Sequence, residues 1–406
     1  MIPRIVIVCL LLSFVFGPSS SAIADCGDPY ILNHHHLTGK LDICTIKDNI
    51  GDFVVVTNWG TKPEWLNETQ FVFMGNQIGD VHLMDLETNT VTNLTAPFQH
   101  AGFTRAHKLK NGDLLLIGPE SGPQPPEDPL VIYDKGQFTG SLWVFEAPFD
   151  QPPYLLQRKI TETIQFLWWQ WQTTRMENIP AWEGVAVSRE SNLIVWSNTQ
   201  TPFFGENIIE TGFNYIFKPS SLWTGTFVHR PGSSYMESTR KIVSKCEIGS
   251  VFLEPQNFIG EDDTYVSFTA YGPTSSGSGN SWLYDFKNGC IIREYTGPGY
   301  DEWEGVAPDY QKSFVEIDED ASAFEGPVSV ELHLYDFSKK TSTRFTYFHG
   351  DHQRADGFSV HEPVFSPSGR YALFATLGGG GWEFNSPGYS IGIVLLDVEA
   401  YLSTLP

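Results

Sequence analysis

Four segments of this chain put a glutamate at the head of an apolar stretch: Ala181-Trp182-Glu183-Gly184-Val185-Ala186, Phe252-Leu253-Glu254-Pro255, Asp301-Glu302-Trp303-Glu304-Gly305-Val306-Ala307 and Val360-His361-Glu362-Pro363-Val364. A fifth segment, Phe103-Thr104-Arg105-Ala106-His107, has a cation in the same place. If these positions converge, several carboxylates crowd together and at least one is forced to hold its proton. One protonated acid beside one ionised carboxylate is what glycoside hydrolysis requires. Glu183, Glu304 and Glu362 are therefore the catalytic candidates. The glycine after Glu183 and Glu304 permits another group to approach closely. Arg105 can hold a substrate carboxylate through two prongs. Trp182 and Trp303 suit the apolar faces of sugar rings, and Glu254, His107 and His361 complete the binding set. Which glutamate is the acid, and whether the outcome is retention or inversion, stays open at this stage.

The same residues admit other chemistry. His361 beside Glu362, with His107 near Arg105, could abstract a proton next to a uronate carboxylate, which would make the protein a lyase. The carboxylates could instead tie strands together, or hold a structural Ca²⁺ in a central channel. No cofactor is required, and the sequence assigns no metal ligands. Adjacent His34, His35 and His36 read as a surface or loop feature, because neighbours in a strand point to opposite faces.

Only a repeated fold can bring residues so far apart in sequence to one place. Short apolar runs bounded by Gly, Asn, Asp and Pro recur along the chain, and long amphipathic helices are scarce. The runs come in pairs, such as Leu114–Ile117 with Gly140–Phe145, and Ser313–Ile317 with Val330–Asp336. Four third strands end in aspartate. Units that cannot bury both faces alone must stack around an axis. The expectation is an all-β fold: one β-propeller of about six four-stranded blades, with first and last segments able to close one blade jointly. Ser366-Pro367-Ser368-Gly369, Lys110-Asn111-Gly112-Asp113 and Pro308-Asp309-Tyr310 read as tight hairpins. The stretch from Ile164 to Arg175, with Trp168, Trp169 and Trp171, reads as a short helix or a rim loop.

Residues 1–24 read as a cleaved signal peptide: Arg4, an apolar run from Ile5 to Phe16, then Ala22-Ile23-Ala24. Residues 25–406 form the propeller domain, expected to be secreted, extracellular and monomeric. Of the five cysteines, Cys9 leaves with the signal, and the rest suggest Cys26–Cys44 and Cys246–Cys290 bridges. Asn67 and Asn93 stand in glycosylation sequons. The net charge of −23, with only 25 basic residues, excludes a nucleic-acid partner. No later segment has the length and apolarity of a membrane span, so no membrane partner is expected. Serine-esterase, dinucleotide and P-loop motifs are absent.

The hairpins resemble those of TolB-like and WD40-like propellers. On the repeated Trp-Glu-Gly-Val-Ala motif, the chain from Asp25 to Pro406 resembles fungal secreted saponin hydrolases. That resemblance implies a glycoside hydrolase acting on a glucuronide or saponin-type glycoside. Uronate-directed propeller lyases, or a non-catalytic extracellular binding propeller, are the alternatives.

Overall fold

The computed structural model describes residues 30–32, 53–57, 59–76, 78–120, 140–199, 220–250, 252–271, 279–293, 299–318, 330–346, 358–378 and 390–403. The proposed signal segment, Cys26, Cys44 and His34–His36 lie outside them.

Strands β1 (Tyr30–Leu32) and β2 (Phe53–Thr57) come first. β3 (Thr61–Trp65), β4 (Gln70–Met74), β5 (Val81–Asp85) and β6 (Thr90–Asn93) form an antiparallel sheet in chain order. β7 (Arg105–Lys108), β8 (Leu114–Gly118) and β9 (Gly140–Phe145) repeat that meander, with β10 (Tyr154–Leu155) outside β9. β11 (Gln157–Phe166) and β12 (Trp169–Asn178) make a hairpin. β13 (Pro180–Val187), β14 (Leu193–Thr199), β15 (Ser220–Val228) and β16 (Tyr235–Ser244) form a further meander, followed by the short helix α1 (Lys245–Ile248). β17 (Phe252–Ile259), β18 (Tyr265–Tyr271), β19 (Gly279–Asp285) and β20 (Cys290–Ile292) form the next sheet. β21 (Tyr300–Val306), β22 (Lys312–Asp318), β23 (Glu331–Asp336) and β24 (Thr341–Arg344) form another. β25 (Phe358–Phe365), β26 (Tyr371–Gly378) and β27 (Ser390–Asp397) precede helix α2 (Val398–Leu402).

This is an all-β, propeller-like arrangement. Three sheets have four strands each, and β25–β26–β27 takes β2 as its fourth strand, with β1 outside it. The ends of the chain thus close one sheet together, as the sequence suggested. Six separate four-stranded sheets are not formed. Pro180 and Ala181 of β13 pair with Ser141 and Gly140 of β9, so two meanders and the β11–β12 hairpin merge into one ten-stranded sheet.

The first apolar run of each pair, such as Leu114–Ile117 or Ser313–Ile317, occupies the second position in its meander. β8, for instance, is buried at every residue. A second strand has a neighbouring sheet on each face, and only an apolar segment tolerates that. The innermost strands β3, β7, β13, β17, β21 and β25 carry the polar residues. They contact one another in that order, and β25 closes back on β3.

The turn signals hold. Gly112 N–H donates to Leu109, Tyr310 N–H to Ala307 and Gly369 N–H to Ser366. The third-strand aspartates cap the turns that follow. Asp85 accepts from Thr88 N–H at 2.9 Å, Asp285 from Asn288 N–H at 2.9 Å and Asp336 from Lys339 N–H at 3.0 Å. Asp397 caps α2 through Ala400 N–H. The stretch expected as a short helix or rim loop is the β11–β12 hairpin, because its residues alternate between an apolar face and a Gln/Thr face.

One expectation is overturned. Cys246 and Cys290 are exposed free thiols, and no disulfide forms among the described residues. Cys246 sits in α1, after the outer strand of one meander, and Cys290 opens the outer strand of the next sheet. Nearness in sequence did not translate into a shared blade. Of the sequon residues, Asn67 is exposed in the β3–β4 turn, whereas the Asn93 amide donates to Asp80 at 2.8 Å.

Candidate active site on the inner strands

The five segments that opened the sequence analysis all lie on innermost strands. A sixth belongs with them: Lys62-Pro63 on β3 repeats the Glu254-Pro255 and Glu362-Pro363 pattern. The equivalent residues around the ring are Lys62, Arg105, Glu183, Glu254, Glu304 and Glu362. Five of the six strands break register at or just beyond this position: β3, β13, β17, β21 and β25. Such bulges re-aim a side chain out of the regular pleat. Lys62 and Glu362 take left-handed backbone angles there, with φ of 55° and 59°. The side chain of Glu183 lies outside the described residues.

The glycines do what their place in the motif implied. A Cβ on Gly305 would stand 2.2 Å from the Pro363 carbonyl oxygen, and one on Gly184 would stand 2.2 Å from Glu254 Cγ. Each Glu-Gly strand therefore lies directly against the Glu-Pro strand of the next blade.

Arg105 is the hub. Its Nη2 lies 3.4 Å from Glu304 Oε1, 3.5 Å from Glu362 Oε1 and 4.0 Å from Glu254 Oε1. All three carboxyl groups thus converge on one guanidinium nitrogen. Lys62 Nζ adds a second cation 3.9 Å from Glu362 Oε1, and Thr61 Oγ1 donates to Glu362 Oε2 at 2.9 Å.

Two carboxyls of the cluster are pushed toward their protonated forms. Burial, then the charges of Glu316, Glu362 and Glu254, push Glu304 well above the usual carboxylate range despite Arg105. Burial, then the charges of Glu254, Glu304 and Glu316, do the same to Glu302. Geometry calls for a proton on one carboxyl of the Glu254/Glu302 pair. The Tyr271 hydroxyl lies 2.9 Å from both Glu254 Oε2 and Glu302 Oε1. One hydroxyl proton can serve only one of them, so the other carboxyl must itself donate. Glu302 also receives Gln256 Nε2–H and the Tyr300 hydroxyl.

The two histidines are driven apart. Burial, with Arg105 and Lys62 nearby, lowers His107 to about 3. Its Nδ1 is 3.9 Å from Glu64, and its buried Nε2 has no hydrogen-bond partner among the described residues. Burial by itself would lower His361 too, but the charge and hydrogen bond of Glu316, then Glu362, raise it. His361 Nδ1 sits 2.9 Å from Glu316 Oε2, and its Nε2 sits 2.6 Å from Ser359 Oγ. Burial raises Glu64 to about 7.

The tryptophans go elsewhere. Trp182 is buried edge-on against Phe252, and Trp303 is fully buried beside Tyr335 and Phe337. Neither offers a face to a sugar; each fills the core behind its glutamate. Sequence reasoning missed Lys62, Glu64, Tyr271, Glu302 and Glu316. Lys62-Pro63 was findable from the dipeptide pattern, and Glu302 stood inside the quoted motif. Tyr271 and Glu316 come from second strands, whose sequence looks only like core.

A group able to hold a metal ion lies off this ring. Asp113, Glu146 and His229 offer ligand atoms within 4.8 Å of one another. They follow the β7–β8 turn, β9 and β15 in turn. A histidine in the set suits Zn²⁺ or Mn²⁺ better than the channel Ca²⁺ the sequence suggested.

No family model matches the chain, and no curated protein matches it. Among solved structures it is similar to TolB from Acinetobacter baumannii: 10% identical, over 82% of this chain and 78% of that one, TM-score 0.34. A putative TolB from Agrobacterium tumefaciens is 12% identical, over 79% and 96%, TM-score 0.43. An oligogalacturonate lyase from Vibrio parahaemolyticus is 12% identical, over 87% and 96%, TM-score 0.44. Likeness at this distance carries neither activity nor site residues across. Kinship with saponin hydrolases or WD40 repeats is not shown.

Proposed function

We propose that the protein is a secreted carbohydrate-active enzyme that cleaves uronate-containing oligosaccharides by β-elimination at this ring, without a required cofactor. We count the merged sheet as two blades, which gives six. The observation that carries the reading is the shared Arg105 nitrogen, with Lys62 beside it, among carboxyls of which Glu304 is neutral. A uronate carboxylate entering this cluster would replace Glu362 or Glu254 as the partner of the two cations. Neutral His107, its Nε2 unpartnered, is the base that takes the C5 proton. Arg105 and Lys62 stabilise the charge that develops on the uronate carboxylate. The C4–O bond breaks as the C4=C5 double bond forms, and Glu304 gives its proton to the departing oxygen.

Hydrolysis is favoured by one observation: neutral Glu304 stands beside Glu362, a ready acid and base. The two readings differ in product. Incubation with uronate oligosaccharides should give an unsaturated product absorbing in the near ultraviolet. Arg105→Lys and His107→Ala should each lower its rate about 100-fold or more. New reducing ends without that absorbance would overturn elimination in favour of hydrolysis, and Glu304→Gln should then abolish them. Tight sugar binding with no product from the wild type would leave a binding propeller.

A further inference from the structure

From Thr161 to Met176 every described residue of the β11–β12 hairpin is exposed. The ribbon therefore stands clear of the body by roughly 20 Å, at about 3.4 Å per residue. Its register pairs Phe166 with Trp169, Ile164 with Trp171 and Gln165 with Gln170. One face near the tip thus carries Ile164, Trp169 and Trp171, and the other carries Thr163, Gln165, Gln170 and Gln172. The connection is Leu167-Trp168, 67% and 81% exposed, with Leu167 at φ 54°. Two-residue hairpin turns favour Asn-Gly or similar pairs, which reach that angle cheaply. Leucine at that angle strains the turn, and both side chains gain little burial among the described residues.

We infer that this tip is an interfacial anchor that seats the protein on a zwitterionic lipid bilayer. Residues 163–172, Thr-Ile-Gln-Phe-Leu-Trp-Trp-Gln-Trp-Gln, contain no charge. A bilayer penalises charge and favours indoles at its boundary, where the ring is buried and the N–H stays wet. Behind the tip the ribbon carries Arg158, Lys159 and Arg175 against Glu162 and Glu177, a basic excess in a chain of net charge −23. That collar complements headgroup phosphates, while the rest of the molecule is repelled by anionic lipid. The Gln165–Gln170 pair limits the depth, because burying those amides costs free energy. Among the described residues no helix is long and apolar enough to cross a bilayer.

The test is partition onto phosphatidylcholine vesicles, followed by co-sedimentation and by tryptophan fluorescence. Wild type should sediment with the vesicles and its emission should move to shorter wavelength. The double variant Trp168→Ser/Trp169→Ser should partition at least ten-fold more weakly, with an unchanged circular dichroism spectrum. Leu167→Gly, which relieves the turn, should also weaken partition while keeping the hairpin. No partition of the wild type, or equal partition of both variants, overturns the inference. So does binding that requires anionic lipid and vanishes in high salt, or a ribbon buried in a stable dimer of this chain.

Discussion

On the inner strands, Arg105 and Lys62 are shut in among carboxyls, whereas on the β11–β12 ribbon the outermost side chains are a leucine and indoles in open solvent. The first region keeps charge inside by mutual compensation: Arg105 faces three carboxyl groups, and burial, then the neighbouring charges, push Glu302 and Glu304 toward their protonated forms. Among the described residues nothing covers the exposed apolar surface of the second. An isolated two-stranded ribbon is marginal in water. The difference teaches where each region gets its stability, from neighbouring blades in one case and from an outside surface in the other.

The largest effect should come from breaking the ring. Arg105→Ala leaves the facing carboxylates without their shared cation, and removing one partner of a buried ion pair costs about 3–5 kcal/mol. Denaturant unfolding would show it; a loss below about 1 kcal/mol would mean that the carboxyls simply take up protons and the cluster is not held by charge. Gly305→Ala comes next. Its Cβ would meet the Pro363 carbonyl at 2.2 Å and φ is 54°, so a loss of about 1–3 kcal/mol is expected. A neutral result would show that β21 and β25 can separate without cost.

pH sharpens the comparison through two groups beside the ring, His107 and Glu64. His107 binds a proton near 6.5 in the unfolded chain but only near 3 when folded. Stability should therefore be full above about 6.5 and fall as the pH drops toward 3, by up to roughly 1.4 kcal/mol per pH unit. Glu64 acts in the opposite sense. Its folded value of about 7 exceeds the ordinary 4.5, so its contribution is full below 4.5 and is lost as the pH rises through about 7. His107→Gln should flatten the acid limb of a stability profile, and Glu64→Gln the neutral one. Limbs unmoved by these changes would remove both histidine and glutamate from the account. The smallest effect on stability should be that of Trp168→Ser, within about 0.5 kcal/mol, despite the loss of the largest exposed surface on the tip. A greater loss would mean that the indole is packed in solution after all.

What the sequence determined by itself is the class of fold and the strands whose polar residues converge on the ring. The alternation, the turn residues and the third-strand aspartates are local signals, and local backbone geometry obeys them. The glycines of both Trp-Glu-Gly-Val-Ala copies announced a close approach, which the Pro363 carbonyl and the Glu254 side chain make. Tertiary structure alone decided which strand is innermost, because burial on both faces comes from neighbouring sheets that the chain supplies elsewhere. It turned Trp182 and Trp303 inward, gathered Tyr271 and Glu316 from second strands, and left Cys246 and Cys290 on different sheets. It also shifted the pKa of Glu304 and His361 upward and of His107 downward. Those shifts depend on desolvation and on charges dozens to hundreds of residues away in sequence, a sum over neighbours that no local pattern contains.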